Sequence, residues 1–414
     1  MNSFKSLLLL VFPIFLFIAS CCITDPEEKD PPKPPGYQED IPWPSLADSP
    51  WPMNHHDPQS TGRSQYSGPL NGQILNEFNL LNDAISCGIM LDNDLNVYFT
   101  NGSSTDIGLK VIRNNTSPEL LFNAGRSSYE NFTTPLLRPD STIIFTYDLR
   151  VIYAISLEGT IIWEFDFGES IIAGPATLSI DREGNIYLIT QEFELYCISR
   201  EGELNWIYED ERFDPARQFG FHMCVSPDGK YLYMPGKYES LLAFSINDLE
   251  IKWTYGDNLW GRYTVIDSYG RIYLFMERLF NIIKLVCMDK NGQDLWIFYI
   301  PWGPLFDNQP AIDKYGNIYI ATDTLYSVNY SGLLNWKQPM EGFCGAPILI
   351  DGKSNVFVAT KLHGTGGINI YSFSQHGKLN WKIHDDGRLG GSPALSNTGV
   401  LYYPIHSKRI ITIY

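Results

Sequence analysis

The chain is short of positive charge. Its 414 residues carry 30 Lys and Arg against 47 Asp and Glu, a formal net charge of −17. A nucleic-acid binder needs a basic face, so that class of function is excluded as a first reading. Seven cysteines are present with no Cys-x-x-Cys pair, and the seven histidines are scattered apart from the His55–His56 pair. No zinc-ligand spacing arises from them. Beyond residue 18 no apolar run is long enough to cross a bilayer. Five cysteines (Cys87, Cys197, Cys224, Cys287 and Cys344) mostly sit inside apolar runs such as ELYCIS and KLVCMD, where a thiol behaves as a small hydrophobe.

The chain is rich in tight-turn and aromatic residues. It has 34 Gly, 25 Tyr, 23 Phe and 10 Trp, a composition that favours strands and turns over helices. The first twenty residues stand apart. Lys5 precedes the apolar stretch Leu7–Ile18, which Pro13 interrupts and which is too short to span, so residues 1–20 read as a signal peptide. The ending Ile18-Ala19-Ser20-Cys21 resembles the lipobox of bacterial lipoproteins. That resemblance implies lipidation at Cys21, with an ordinary secretory signal as the alternative. Cys22, rather than Asp, follows the lipid site. By the same resemblance this favours the outer membrane, and both the periplasmic and the surface-facing leaflets fit. Seven prolines between Asp25 and Pro44 favour an extended polyproline segment, so residues 21–50 are expected to form a semi-rigid tether, with structure beginning near Trp51.

From residue 51 to 414 the sequence repeats. REGELNW ends at Trp206, YSGLLNW at Trp336 and QHGKLNW at Trp381. Together with Trp163, Trp253 and Trp296 these tryptophans are spaced 40 to 47 residues apart. A second phrase, a turn followed by a short apolar strand centred on an aromatic, recurs eight times, as in GNIYLI around Tyr187 and GNIYIA around Tyr319. Four short strands per 40–45 residues is the period of a propeller blade. The expected fold is therefore all-β, an eight-bladed propeller of four-stranded antiparallel blades. Each Trp is expected to wedge between neighbouring blades, with its indole N–H on a backbone acceptor. The last unit stops after three strands, and Gly72–Phe78 has the form of the missing fourth. N- and C-terminal strands are thus expected to close the ring, with seven blades and an unpaired strand as the alternative.

These phrases, together with the lead-in Trp51–Ser64, resemble the PQQ-like propeller repeat proteins, among them quinoprotein dehydrogenases and BamB-like lipoproteins of outer-membrane assembly. The resemblance covers residues 51–414. It implies an exported, lipid-anchored, non-catalytic binding or scaffold module of the cell envelope, a monomer with envelope protein partners. The alternative it allows is a quinoprotein-type enzyme or a carbohydrate-binding protein using the funnel. The docking phrase A-x-D-x-x-T-G-K-x-x-W of such enzymes is degenerate here: Ala243–Trp253 keeps its length without its Asp, Thr, Gly or Lys. The one vicinal cysteine pair, Cys21–Cys22, lies at the lipidation site. No cofactor, metal or catalytic residue is therefore expected, His55, His56 and Asp57 included. The long connections carry Arg126, Arg212, Arg217, Arg262 and Arg388, with Trp260, Trp302 and Phe306 beside them. Arginine and large aromatics suit a protein or anionic partner. Trp260, Arg262, Trp302, Phe306, Arg217 and Arg388 are the candidate partner-binding residues, ordinary solvated or blade-locking roles being the alternative.

Overall fold

A computed structural model describes residues 32–414, except 81–84, 86, 102–107, 126–132, 148–149, 169–177, 214–222, 238–239, 257–259, 279–281, 302–308, 365 and 407–408. Residues 35–414 form one compact unit. Among the described residues there are eight antiparallel sheets and no helix, arranged as a β-propeller. Blade 3 shows the plan, with strands Ser179–Ile180, Ile186–Ile189, Glu194–Ile198 and Leu204–Glu209 paired in that order from the axis outward. The two middle strands are buried along almost their whole length, which is why they read as continuous apolar runs. The outer strand alternates between exposed and half-buried. Blade 5 is the tallest, with four strands of seven residues each, Trp260–Ile266, Ile272–Arg278, Ile282–Met288 and Asp294–Ile300.

Blade 8 consists of Ala394–Leu395, Leu401–Ile405 and Arg409–Ile413, and its fourth strand is Ile74–Asn79 from the other end of the chain. The ring is therefore closed as expected, and no blade is left with an edge awaiting its own last strand. Arg409 pins this closure. Its guanidinium reaches Asp385 of blade 7 at 2.5 Å and Glu77 of the N-terminal strand at 3.2 Å.

The repeated phrases now have a mechanical reading. In every blade the ladder between third and fourth strands carries a bulge next to the sealing position, skipping Asn205 before Trp206 and Asn335 before Trp336. Opposite the six tryptophans stand small residues: Ala154, Cys197, Ala243, Cys287, Ser327 and Ser372. A second-strand aromatic packs on the same indole, with centroids 5.8 Å apart for Tyr273–Trp296, Tyr319–Trp336 and Phe357–Trp381. For all of them but Trp206, the far side of the indole lies on a glycine of the next blade. A Cβ added to Gly202, Gly332 or Gly377 would come within 2.5, 2.6 or 2.7 Å of the preceding blade's tryptophan ring. The indole N–H then donates to the carbonyl two residues before that glycine, Trp163 to Arg200, Trp296 to Tyr330 and Trp336 to Gln375.

The asparagine of the Leu-Asn-Trp phrase has its own partner. Asn205, Asn335 and Asn380 each donate to the turn asparagine of their own blade, Asn185, Asn317 and Asn355. The phrase is confined to blades whose first turn supplies that acceptor, although blade 1, with Asn96 at the same turn position, has Leu121 before its Phe122.

Replacing Arg409 with Leu leaves the buried Asp385 carboxylate without its cation, and the loss of such a partner costs about 3 kcal/mol. Urea unfolding is expected to show a midpoint lowered accordingly. An unchanged midpoint would show that hydrophobic pairing alone closes the ring.

Candidate functional site

The two faces of the ring differ. One bears the short hairpin turns; the other bears the connections between blades. On the turn face the phrase Asp-x-x-Gly-x-Ile-Tyr forms a clamp. Asp181 accepts from the backbone N–H groups of Glu183 and Asn185, while its second oxygen accepts from the Asn185 amide and, at 2.6 Å, from the Tyr187 hydroxyl. Asp92, Asp267 and Asp313 repeat the arrangement with Tyr98, Tyr273 and Tyr319. Blade 7 has Phe357 in the tyrosine position, and the oxygen of Asp351 is satisfied instead by the N–H of Gly68 at 2.7 Å. Burial pushes the carboxyls of Asp267 and Asp313 above the ordinary range and pushes the Tyr187 and Tyr319 hydroxyls up. These carboxylates hold turns; they are not aimed at a cleft.

The N-terminal segment covers this face, which corrects the expected boundary at residue 51. It makes two passes. The first, residues 37–49, lies over the turns: Gln38 N–H donates to Lys314 O, Trp43 donates through its indole to Ile180 O, and Ala47 N–H donates to Leu137 O. Trp43 and Leu46 are buried, so this stretch of the expected tether is part of the fold. The second pass, residues 51–64, circles the axis. The carbonyls of Trp51, Pro52, Pro58, Gln59, Thr61 and Gly62 accept from the inner-strand N–H groups of Leu91, Leu137, Val225, Ile266, Ile312 and Ile350, at 2.8–3.0 Å. Each donor is the last residue before its blade's turn, so one strap ties six blades at the same height.

His55 and His56 sit in this strap. Both have left-handed backbone, with φ of 54° and 79°, so the chain turns here. His55 is fully buried, its two ring nitrogens 2.8 Å from Ser60 O and 3.1 Å from Ile348 O. Burial outweighs those carbonyls and lowers its pKa to about 4. His56 lies edge-on to Trp51 and 3.3 Å from Asp57. Burial pushes the Asp57 carboxyl up, but His56 and Thr61 together hold it below its usual value. Between the two passes runs a cavity of about 770 Å³, with Glu39, Asp48 and Asp57 opposite Arg63 and Lys314. Among the described residues no three His, Cys, Asp or Glu side chains are grouped to hold a metal ion. The five cysteines of the ring are buried, and burial raises Cys287 to about 12.

Of the candidate partner residues, Arg388 and the backbone of Trp260 and Arg262 fall among the described residues. Trp260 and Arg262 belong to the backbone of the inner strand Trp260–Ile266 of blade 5, Trp260 opposite Glu277 and Arg262 at a bulge. That corrects their placement in a connection, and the seven-residue length of this strand is the reason. Trp302, Phe306, Arg217 and Arg126 lie outside the described residues. Arg388 is exposed between blades 7 and 8, where its carbonyl accepts from His406 N–H. Arg212 is held by Asp210 through paired bonds of 2.8 and 2.6 Å. The residues that sequence reasoning missed are those of the first strap pass, whose signal was Trp43 and Leu46 among the prolines.

No family model matches the chain, and no curated protein matches it either. Solved structures do. BamB from Moraxella catarrhalis superposes with a TM-score of 0.57 at 13% identity, over 82% of this chain and 96% of that one. A europium-containing methanol dehydrogenase gives 0.64 at 9%, covering 87% and 90%, and the C-terminal WD40 domain of Sif2 gives 0.63 at 11%, covering 84% and 99%. The likeness is one of fold. These propellers include a dehydrogenase and a WD40 domain, so the ring by itself assigns no activity.

The folded-state pKa of His55 lies near 4, below the 6.5 of a free imidazole, so the native ring binds fewer protons than the unfolded chain. The resulting stability is present above pH 6.5 and is lost as pH falls toward 4, about 3 kcal/mol in all. Asp267 and Asp313, with raised pKa values, act with the opposite sign. The difference in unfolding free energy between the wild type and His55→Gln isolates the histidine, and is expected to shrink by that amount between pH 7 and pH 4. A constant difference would contradict the assignment.

Proposed function

We propose that this chain is a non-catalytic binding scaffold of the bacterial cell envelope, lipid-anchored at Cys21 and engaging an envelope protein through the connection face of its ring. The observation that carries the reading is the strap. Residues 37–64 bond across the turn face, and the recurrent carboxylates beneath them are engaged in turn clamps. The surface left for a partner is the opposite one, where connections vary from blade to blade on a rigid support. The compact unit begins at Pro35, and thirteen residues separate Cys21 from it. An extended proline-rich link of that length reaches about 40 Å, enough to hold the ring clear of a lipid surface. The fold shared with BamB supports an envelope setting. The net charge of −17 favours solubility over adhesion to anionic lipid or nucleic acid.

Two measurements test this. Cys21→Ser is expected to shift the protein from the membrane fraction to the soluble one or to leave the precursor unprocessed; unchanged processing and fractionation count against the anchor. Cross-linked co-purification is expected to recover an envelope protein. The triple variant Trp260→Ala, Arg262→Ala, Trp302→Ala is expected to weaken that capture by more than about 2 kcal/mol, with folding checked by circular dichroism because two of these residues lie on a strand. Tight binding of PQQ with dye-linked alcohol oxidation would overturn the scaffold reading in favour of an enzyme.

A further inference from the structure

Eight seams join the blades, and six are filled by tryptophan. The seams on either side of blade 1 are the exceptions. Register identifies what stands there. In blade 3 the bulge skips Asn205 and sets Trp206 against Cys197. In blade 8 it skips Leu75 and sets Asn76 against Thr412, so Asn76 occupies the sealing position of the seam between blades 8 and 1. In blade 1 it sets Phe122 against Leu109. Phe122 still offers its seam aromatic contacts, 5.8 Å to Phe145 and 4.9 Å to Tyr153, beside an open cavity of about 550 Å³ lined by Tyr98, Leu121 and Leu157. Asn76 has no ring to offer.

The seam beside Asn76 is correspondingly hollow. A cavity of about 310 Å³ lies there, at the lower end of the 300–1,000 Å³ usual for small-ligand pockets. Its walls are what a sealing indole meets elsewhere. Tyr402 occupies the second-strand aromatic position, paired with Ala394 as Tyr187 is with Ser179. Across the cavity stand Asn114 and Asn115, in the turn of blade 1 that corresponds to the Arg200–Gly202 turn receiving Trp163. Both have left-handed backbone, with φ of 51° and 56°. Leu75 and Leu95 add apolar wall. Tyr402 also differs from Tyr187, Tyr273 and Tyr319 at the hydroxyl, because the clamp aspartate is replaced by Ser396, as it is by Ser226 in blade 4, and the Ser396 oxygen instead accepts from Val400 N–H and meets Thr398.

We propose that this seam is a binding site for an exogenous planar aromatic ring carrying an N–H donor, an indole, which would lie against Tyr402 as the protein's own indoles lie against Tyr187, Tyr273 and Tyr319. An aromatic face on one side with amide and hydroxyl groups at the rim is the complement of such a ring. The same chemistry is presented by a small free indole and by a tryptophan side chain of a partner polypeptide. The proposal stands apart from the scaffold reading, since the site lies between blades on the turn side and uses none of the connection residues.

Titration of the intact protein with 5-fluoroindole, followed by ¹⁹F NMR, is expected to show saturable binding at one site. Asn76→Trp with Thr412→Ala rebuilds the indole and small-residue pair of the other seams; it is expected to abolish that binding and raise the melting temperature. Tyr402→Ala removes the stacking face and is expected to weaken binding at least tenfold, which keeps the test decisive if the double variant misfolds. Competition by N-acetyltryptophanamide distinguishes the sources: displacement stronger than that by free indole points to a partner side chain, and weaker displacement to a small molecule. Absence of saturable binding, or equal binding by the wild type and a folded rebuilt variant, overturns the proposal.

Discussion

An indole laid on a glycine is the contact on which this ring depends. The turn glycine must present bare backbone, because a Cβ at Gly202, Gly292, Gly332 or Gly377 would sit 2.5–2.9 Å from the facing ring. The same glycines adopt φ of 77–86°, a conformation their turns require and other residues resist. On the opposite side the blade's own ladder must supply a small residue beneath the ring, which is why Ala, Cys and Ser alternate at that position. Cys197 and Cys287 are thereby explained by size, and their burial makes them poor thiolates at neutral pH. One side chain thus ties three choices of residue, spread over two blades, into a single joint.

The second constraint acts at the axis. Inner strands are only two residues long in most blades, too short to align eight sheets by their own ladders. The strap supplies an external rail. Its carbonyls from Trp51 to Gly62 meet the equivalent N–H in six blades, and Trp43 reaches the seventh sheet position at Ile180. Gly68 shows how closely strap and blade are matched, since its N–H fills the place that a hydroxyl occupies in the other clamps. The buried histidine belongs to this rail as a spacer between Ser60 and Ile348. Its titration therefore bears on ring assembly and not on chemistry.

Most of the ring was legible because each blade repeats the same solution. The period of the tryptophans gave the blade length, and the truncated last unit, matched to Gly72–Phe78, gave the closure that Ile74–Asn79 makes. The strap was only half legible. Proline-rich composition argues against helix and ladder, and residues 37–50 form neither; but isolated carbonyls and one indole suffice to dock a chain that has no regular structure, and periodicity is blind to them. The same limit explains Trp260 and Arg262. A connection and a lengthened inner strand look alike in a single sequence, and the distinction rests on Glu277 and Met276 lying opposite. The coupling of Asn205, Asn335 and Asn380 to their turn asparagines was readable in principle, since both partners recur in the same blades.

Repetition also decides where function should be sought. A residue type present in five or six blades is answering a demand that most blades make, and the clamp aspartates, sealing tryptophans and turn glycines all belong to that class. The informative positions are departures from the rule. Serine at 396 leaves a tyrosine without its clamp, asparagine at 76 leaves a seam without its ring, and both departures fall on the same cavity. Closing the ring with a strand from the far end of the chain does not require either change, because Trp381 still docks on Gly72 and donates to Pro69 O at 3.1 Å one seam earlier. The closure tolerates a normal joint on one side of blade 8 and has an open one on the other. That asymmetry, set against six seams filled by tryptophan, is the ground on which the proposed site rests.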